Sequence, residues 1–272
     1  MGRRHGSFEG PTSSWEEATA QSDGWDASVI TDKTLVMSQK VRDGLIVYAQ
    51  DTIALDRIQY SDTILAFIAL ALARQTDHLE IVDFGGSLGT NYFQNRKILE
   101  YLDELQRPII WNVIERPILA TLGKEHFANA KLKFFSSLHE AIAGEGIRPD
   151  AFLFSGSLQY TDDPFCLLDQ VMRAGAGILA FDRLLVSPTD SHQSFIQHPD
   201  PEKHYPATYP VWCFSKDLFI GNLTSKGFKL IEHFTTDPSA HFDHCGMIFV
   251  RSEGGSQVSG PLPSTKTINN RV

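Results

Sequence analysis

A chain of 272 residues with 42% hydrophobic residues suffices for one α/β domain with a sizeable core, or two small ones. Its 24 Lys and Arg against 33 Asp and Glu give a formal net charge of -9, which repels phosphate backbones and anionic membrane surfaces and argues against a general nucleic-acid binder. Cys166, Cys213 and Cys245 are odd in number, widely spaced and lack a C-x-x-C pair, so neither a disulfide framework nor a zinc ribbon is expected and a reducing, cytoplasmic setting fits best.

Residues 1–13 are rich in Gly, Ser and polar groups and are expected to be disordered. Arg3 and Arg4 have no apolar stretch behind them, and Gly6 stands where myristoylation requires Ser or Thr, so no export or anchoring signal is read. Residues 14–78 read as a helical preface to a single domain spanning 14–251. The longest apolar run, Ile64–Ala73, has only ten residues. It is too short for the ~20 residues of a membrane helix and is expected to be a buried helix, without membrane insertion.

From residue 79, short β-branched or aromatic runs alternate with helical segments, the pattern of a mostly parallel sheet with helices on both faces. Seven strands are expected, at Leu79–Phe84, Ile109–Ile114, Leu132–Phe135, Ala151–Phe154, Gly177–Phe181, Lys229–Phe234 and Met247–Val250. Pro117 suits a first helical turn, Ser137 with Glu140 reads as a capping box, and Asp162 or Asp163 can cap a helix starting at Pro164. The polar stretch Thr235–Gly246 leaves no room for a helix, so the last two strands are expected to pair as an antiparallel terminal hairpin. Residues 187–211 interrupt the rhythm with Pro188, Pro199, Pro201, Pro206 and Pro210 and read as a lid-like insertion after the fifth strand. The tail, 252–272, is expected to be disordered.

Two elements carry the chemistry. In EIVDFGGSLGTNYF, a strand ends at Asp83, a turn follows with Gly85, Gly86, Ser87 and Gly89, and a helix begins near Asn91. Such a turn brings backbone N–H groups and a helix N-terminus against an electron-rich ligand. In IIWNVIERP, Glu115 ends the neighbouring strand, where a carboxylate can accept both ribose hydroxyls of a nucleoside. Its 32-residue distance from Asp83 exceeds the ~20 of the dinucleotide fingerprint, an excess the helix Tyr92–Leu105 can absorb.

The segment SGSLQY (Ser155–Tyr160), at the end of the fourth strand, resembles the corresponding turn of class I S-adenosylmethionine-dependent methyltransferases. With SWEEATAQSDGWDA (Ser14–Ala27), DFGGSLGTNYFQNR (Asp83–Arg96), WNVIE (Trp111–Glu115), FDR (Phe181–Arg183) and YPATYPVWCF (Tyr205–Phe214), it is similar to a family of bacterial methyltransferases encoded among surface-polysaccharide genes. The resemblance spans Ser14 to Val250. It implies a Rossmann-like seven-stranded methyltransferase fold with S-adenosyl-L-methionine as cofactor and a sugar or small-molecule acceptor. It further implies that the loop Asp83–Gly89 cradles the amino-acid moiety, Glu115 the ribose, and Ser136 and Ser137 the adenine edge. Ser155, Gly156 and Leu158 would form the wall beside the sulfonium, with Gln159 and Tyr160 toward the substrate.

At the end of the fifth strand, Asp182 is the first choice for a proton acceptor and Arg183 for gripping an anionic acceptor; a structural ion pair explains the two equally well. Tyr209 and His204, within the insertion, are further catalytic candidates. His192 and His198 lie in the same stretch and are read as surface residues, and Tyr205 and Trp212 could stack on a ring. His241, Asp243, His244 and Cys245 crowd one short segment, which is read as a polar loop and not a metal site. Two other functions stay open: an NAD(P)-dependent oxidoreductase using the same loop, and a non-catalytic S-adenosylmethionine-binding partner of a glycan-biosynthesis enzyme. Self-association is also left open.

Overall fold

The computed structural model describes residues 7–24, 28–50, 52–74, 79–200, 207–238 and 242–252. In chain order these form β1 (Ser7–Thr12), α1 (Trp15–Ala20), α2 (Ser28–Arg42), β2 (Tyr48–Gln50), β3 (Ile53–Leu55), α3 (Asp62–Arg74), β4 (Leu79–Phe84), α4 (Thr90–Glu104), β5 (Ile109–Ile114), α5 (Pro117–His126), β6 (Leu132–Phe135), β7 (Ala151–Ser155), α6 (Pro164–Arg173), β8 (Ile178–Ser187), β9 (Gln193–His198), β10 (Tyr209–Ser215), α7 (Lys216–Ser225), β11 (Phe228–Pro238) and β12 (Asp243–Arg251).

The seven expected strands are β4, β5, β6, β7, β8, β11 and β12, and they assemble in the order β6-β5-β4-β7-β8-β12-β11. The first five run parallel, while β12 lies antiparallel to both β8 and β11. Numbered along the chain from β4, this is 3-2-1-4-5-7-6, whereas the usual dinucleotide-binding order is 3-2-1-4-5-6. Successive strand residues enter opposite faces, and both faces are covered. Val82, Phe152 and Leu179 join the core under α6 and α7, whereas Ile81, Leu153 and Ala180 join the core under α3, α4 and α5. That double burial explains why these strands read as continuous apolar runs.

The sequence reading needs correction at four places. Residues 7–12, expected to be disordered, form β1 on β9, and with β10 they extend the sheet to ten strands. The 187–211 insertion is not a free-standing lid: β9 pairs antiparallel with β10, which joins β8 in parallel through Phe214 and Ser215. The physical reason is that Phe195, Val211 and Cys213 bury themselves with Leu185, an apolar face that the run of prolines obscured in the sequence. The polar segment before the last strand belongs to β12 from Asp243 onward, and His244 and Cys245 pair with Leu185 and Leu184. Finally, the 14–78 preface is not wholly helical: β2 and β3 pair antiparallel ahead of α3, which buries the i, i+3, i+4, i+7 stripe of Ile64, Phe67, Ile68 and Ala71.

Three distant motifs meet at one corner. Trp15 stacks on Trp212 at 5.1 Å between ring centroids with 6° between the planes, and its indole N–H donates to Asp162 at 2.9 Å. Trp212 in turn donates to the Thr161 carbonyl at 3.1 Å. No helix among the described residues is long and apolar enough to cross a membrane.

Candidate active site

The turn after β4 is held from behind. Asp83 is fully buried and accepts hydrogen bonds from Trp111 Nε1 at 3.0 Å and from Asn91 Nδ2 at 3.1 and 3.2 Å. Burial in a site with no compensating cation at hydrogen-bond distance pushes its carboxyl up to about 7. The residues above it are tightly seated: a Cβ on Gly86 would stand 2.5 Å from Asp83 Oδ2, and one on Gly85 would stand 2.5 Å from Ser157 Cβ. Gly85 (φ 70°), Ser87 (φ 53°) and Gly89 (φ 87°) all adopt the left-handed region, so the chain reverses at once into α4.

Gly85, Gly86 and Ser87 form one wall of a cleft, and Glu115, following β5, faces it with Arg116 and Leu119. The Glu115 side chain is 9% exposed and takes the Arg116 backbone N–H at 2.7 Å. Burial raises its pKa above the usual carboxylate range, against the pull of the Arg116 guanidinium and of the backbone N–H groups of Arg116 and Ser87. The opposite wall comes from α2, through Ile30, Thr34, Met37 and Ser38. The floor is Ser155, Gly156 and Ser157, with Ser157 Oγ donating to the Phe84 carbonyl at 2.6 Å.

A second cavity of about 720 Å³ adjoins this cleft and shares Asn91, Ser155 and Arg183 with it. Asp182, on its lining, is buried and accepts from Ser61 Oγ at 2.8 Å and Ser155 Oγ at 2.7 Å, with Arg183 Nε at 3.6 Å from Oδ2. A β-bulge puts it there. Cys245 pairs with Leu184 and Met247 with Phe181, so Asp182 and Arg183 together oppose Gly246. Arg183 takes φ 54°, which for a side chain of this size costs roughly 1–2 kcal/mol and re-aims both residues toward the cavities. Gly246 makes room for the approach of α3, since a Cβ there would stand 1.8 Å from Thr63 Oγ1.

No family model matches the chain, and no curated protein matches it in sequence. Solved structures do resemble it. One is the 1,6-didemethyltoxoflavin-N1-methyltransferase of Burkholderia thailandensis with bound 1,6-didemethyltoxoflavin and S-adenosylhomocysteine, at TM-score 0.43 and 14% identity, covering 86% of this chain and 97% of that one. The CcbJ methyltransferase of Streptomyces caelestis gives 0.45 and 11%, covering 70% and 88%. The glycopeptide N-methyltransferase MtfA gives 0.41 and 13%, covering 71% and 91%. Likenesses this distant say nothing about the site, so its own geometry must carry any functional reading.

The structure brings Gly85, Gly86, Ser87, Glu115, Ser155, Gly156, Tyr160 and Arg183 onto the first cleft, and Asp182 onto the second cavity. Other candidates fall elsewhere. Asp83 and Gly89 support the loop from outside the lining, Gly89 as the residue preceding α4. Ser136 and Ser137 are drawn to Glu140: Ser136 donates to its carboxylate through N–H and Oγ, both at 2.6 Å, and Ser137 Oγ accepts the Glu140 N–H at 3.0 Å. Leu158 is fully buried in the core, and Gln159 is buried with its amide donating to the Arg183 carbonyl at 3.1 Å. Tyr209 packs with Ile30, Ala207 and Tyr160 and lines neither cavity. His204 lies outside the described residues, as do Tyr205 and His241. His192 accepts the Ser215 N–H at 3.0 Å and is held below its ordinary pKa by burial, and His198 pairs with Glu9 at 3.0 Å. Among the described residues no group of His, Cys, Asp and Glu is arranged to hold a metal ion.

Sequence reasoning missed the α2 wall and most of the second cavity, including Tyr48, Tyr60, Ser61, Gln94, Phe234 and His244. These come from five separate segments, and no local pattern in any of them signals a site.

Proposed function

We propose that the chain is a class I S-adenosylmethionine-dependent methyltransferase that transfers a methyl group to an oxygen of a sugar, glycan precursor or other small metabolite. The observation that carries this reading is Glu115, a buried carboxylate facing a glycine loop across a cleft that shares Asn91, Ser155 and Arg183 with a second cavity. The residues suit a nucleoside-bearing donor. Glu115 would accept the ribose hydroxyls, the Gly85–Ser87 backbone would meet the amino-acid moiety, and Ile30, Met37 and Leu119 would give the base an apolar bed. S-adenosylmethionine, when bound, supplies a methyl group activated by its sulfonium.

The chain's own part is orientation, exclusion of water and handling of one proton. Ser155 lines both cavities and its Oγ donates to Asp182 Oδ2, so the hydroxyl would take a proton from an acceptor hydroxyl as its own passes to the carboxylate. Helix α2 walls the cleft and would shield that side from solvent. The free thiols Cys166, Cys213 and Cys245 suit a reducing, cytoplasmic compartment. An NAD(P)-dependent oxidoreductase is the weaker reading, because β12 runs antiparallel and Glu115 follows Asp83 by 32 residues.

Calorimetry with S-adenosylmethionine tests the donor assignment. Removing a buried charged acceptor in Glu115→Ala should weaken binding by roughly 10- to 100-fold. Equal affinity in the variant refutes the ribose role, and tight binding without S-adenosylhomocysteine formation from any acceptor pool would favour a non-catalytic donor-binding protein.

A further inference from the structure

The second cavity has a chemistry of its own, and its lining restricts what can occupy it. At about 720 Å³ it is the size of a small-molecule site. Among the described residues it shares Asn91, Ser155 and Arg183 with the donor cleft, so a bound acceptor would present its reacting atom there. This orientation rests on the methyltransferase reading, which says which cavity the donor fills.

Charge is the first restriction. Among the described residues the formally charged groups on the lining are Asp62, Asp182 and Arg183, with His244 beside them. The Arg183 guanidinium is engaged within the protein, 3.6 Å from Asp182 Oδ2 and 3.4 Å from Ser155 Oγ. Asp62 stands in the first turn of α3, on the exposed side of the cavity. Two carboxylates against one guanidinium leave the lining negative, and a phosphate or carboxylate entering it would face Asp62 with the nearest guanidinium already paired. This weighs against the anion-gripping role that the sequence suggests for Arg183.

Shape and polarity are the second. Tyr60 and Phe234 supply flat faces, and the polar groups of Gln59, Thr235 and His244 stand on the same lining, whereas Ser61 Oγ is spent on Asp182 and the Gln94 amide on the Gln59 carbonyl. Aromatic faces take the apolar side of a ring, and amide, hydroxyl and imidazole groups beside them take its hydroxyls. From these two restrictions we infer that the acceptor is an uncharged, hydroxyl-bearing ring compound, bound in the cavity around Asp182 and excluding phosphorylated or carboxylated analogues.

Such a ring can be a saturated sugar or a phenol, and two matched probe pairs separate them: a methyl glucoside against glucose phosphate, and catechol against protocatechuate. Saturation-transfer NMR on the full chain, at low salt with S-adenosylhomocysteine present, reads binding without turnover. The neutral member of at least one pair should bind below about 10 mM, and its charged partner at least about tenfold more weakly. Asp62→Asn, on an exposed helical turn, should narrow that gap about threefold without affecting folding, and raised salt should narrow it too. Asp182→Asn should narrow it further.

A charged member that binds as tightly as its neutral partner in both pairs overturns the inference, and so does the failure of both neutral probes to bind. Donor calorimetry on the same samples keeps the two readings apart. If the donor binds and the charged probes win, the acceptor inference falls alone; if the donor does not bind and the neutral preference holds, the methyltransferase reading falls and the cavity remains a site for neutral rings.

Discussion

Asp83 offers a direct measurement of how dry the floor of the glycine loop is. Its carboxyl is fully buried, and desolvation raises its pKa from 3.8 to about 7 despite the hydrogen bonds from Trp111 and Asn91. The folded protein therefore keeps a proton that the unfolded chain releases, and folding stability falls as pH rises through the window from about 4 to about 7. At about 1.4 kcal/mol per pH unit, the loss across that window is about 4 kcal/mol, a large part of a typical domain's stability. Asp83→Asn removes the titration. Its amide oxygen can still accept from Trp111 Nε1, and the Asn91 side chain can turn to offer an oxygen to the new N–H group. Urea unfolding of both proteins over a pH series isolates the effect, because titrating groups not coupled to Asp83 cancel in the difference, leaving Glu115 and Arg183 as the charges that act on it. The variant should gain on the wild type progressively above about pH 4 and level off about 4 kcal/mol ahead near pH 8. A difference that stays constant over this range would mean that Asp83 ionises freely in the folded state, and the account of a water-free support behind the loop would be wrong.

Two further substitutions separate structural from ligand-binding roles. Gly246→Ala forces a methyl group into Thr63 and should lower stability by about 1–3 kcal/mol in urea titrations, while parting Ser61 from Asp182; an unchanged midpoint would mean that α3 is free to retreat. Ser137→Ala removes the acceptor for the Glu140 N–H and should lower stability by about 1 kcal/mol with no change in donor affinity by calorimetry, whereas weakened donor binding would return Ser137 to the adenine edge.

The parallel part of the fold was legible because its signals are local. Leu79–Phe84, Ile109–Ile114 and Leu132–Phe135 are bounded by turn residues and buried on both faces, so composition alone gives their limits. Asp163, whose carboxylate accepts the Cys166 N–H at 3.0 Å, and Pro117 at the start of α5 were readable for the same reason. Failures came where partners are remote in sequence. The strand β1 exists only because β9 lies beside it, nearly two hundred residues on, and its own composition reads as disordered. Ser137 Oγ takes the capping bond from the Glu140 N–H and lies off the lining of the cleft, since a short hydroxyl side chain serves a cap or a ligand alike and the position of Glu140 draws it to the cap. In the first cleft Glu115 and the glycine loop were visible in sequence, whereas the second cavity needs the bulge at Asp182, which no residue pattern in FDR announces.

The strand β1 also governs how these molecules behave toward one another. It covers the backbone edge of β9 that would otherwise lie open at the end of the sheet, pairing from Ser7 with His198 to Thr12 with Ser194. Its own outer edge is poorly suited to continuing the sheet: the register slips between Glu9 and Thr12, and Pro11 in that interval has no N–H to offer. A six-residue strand of this kind ends the sheet where a longer, regular one would invite a neighbour's strand to add on, so β1 serves the protein as a guard against edge-to-edge aggregation.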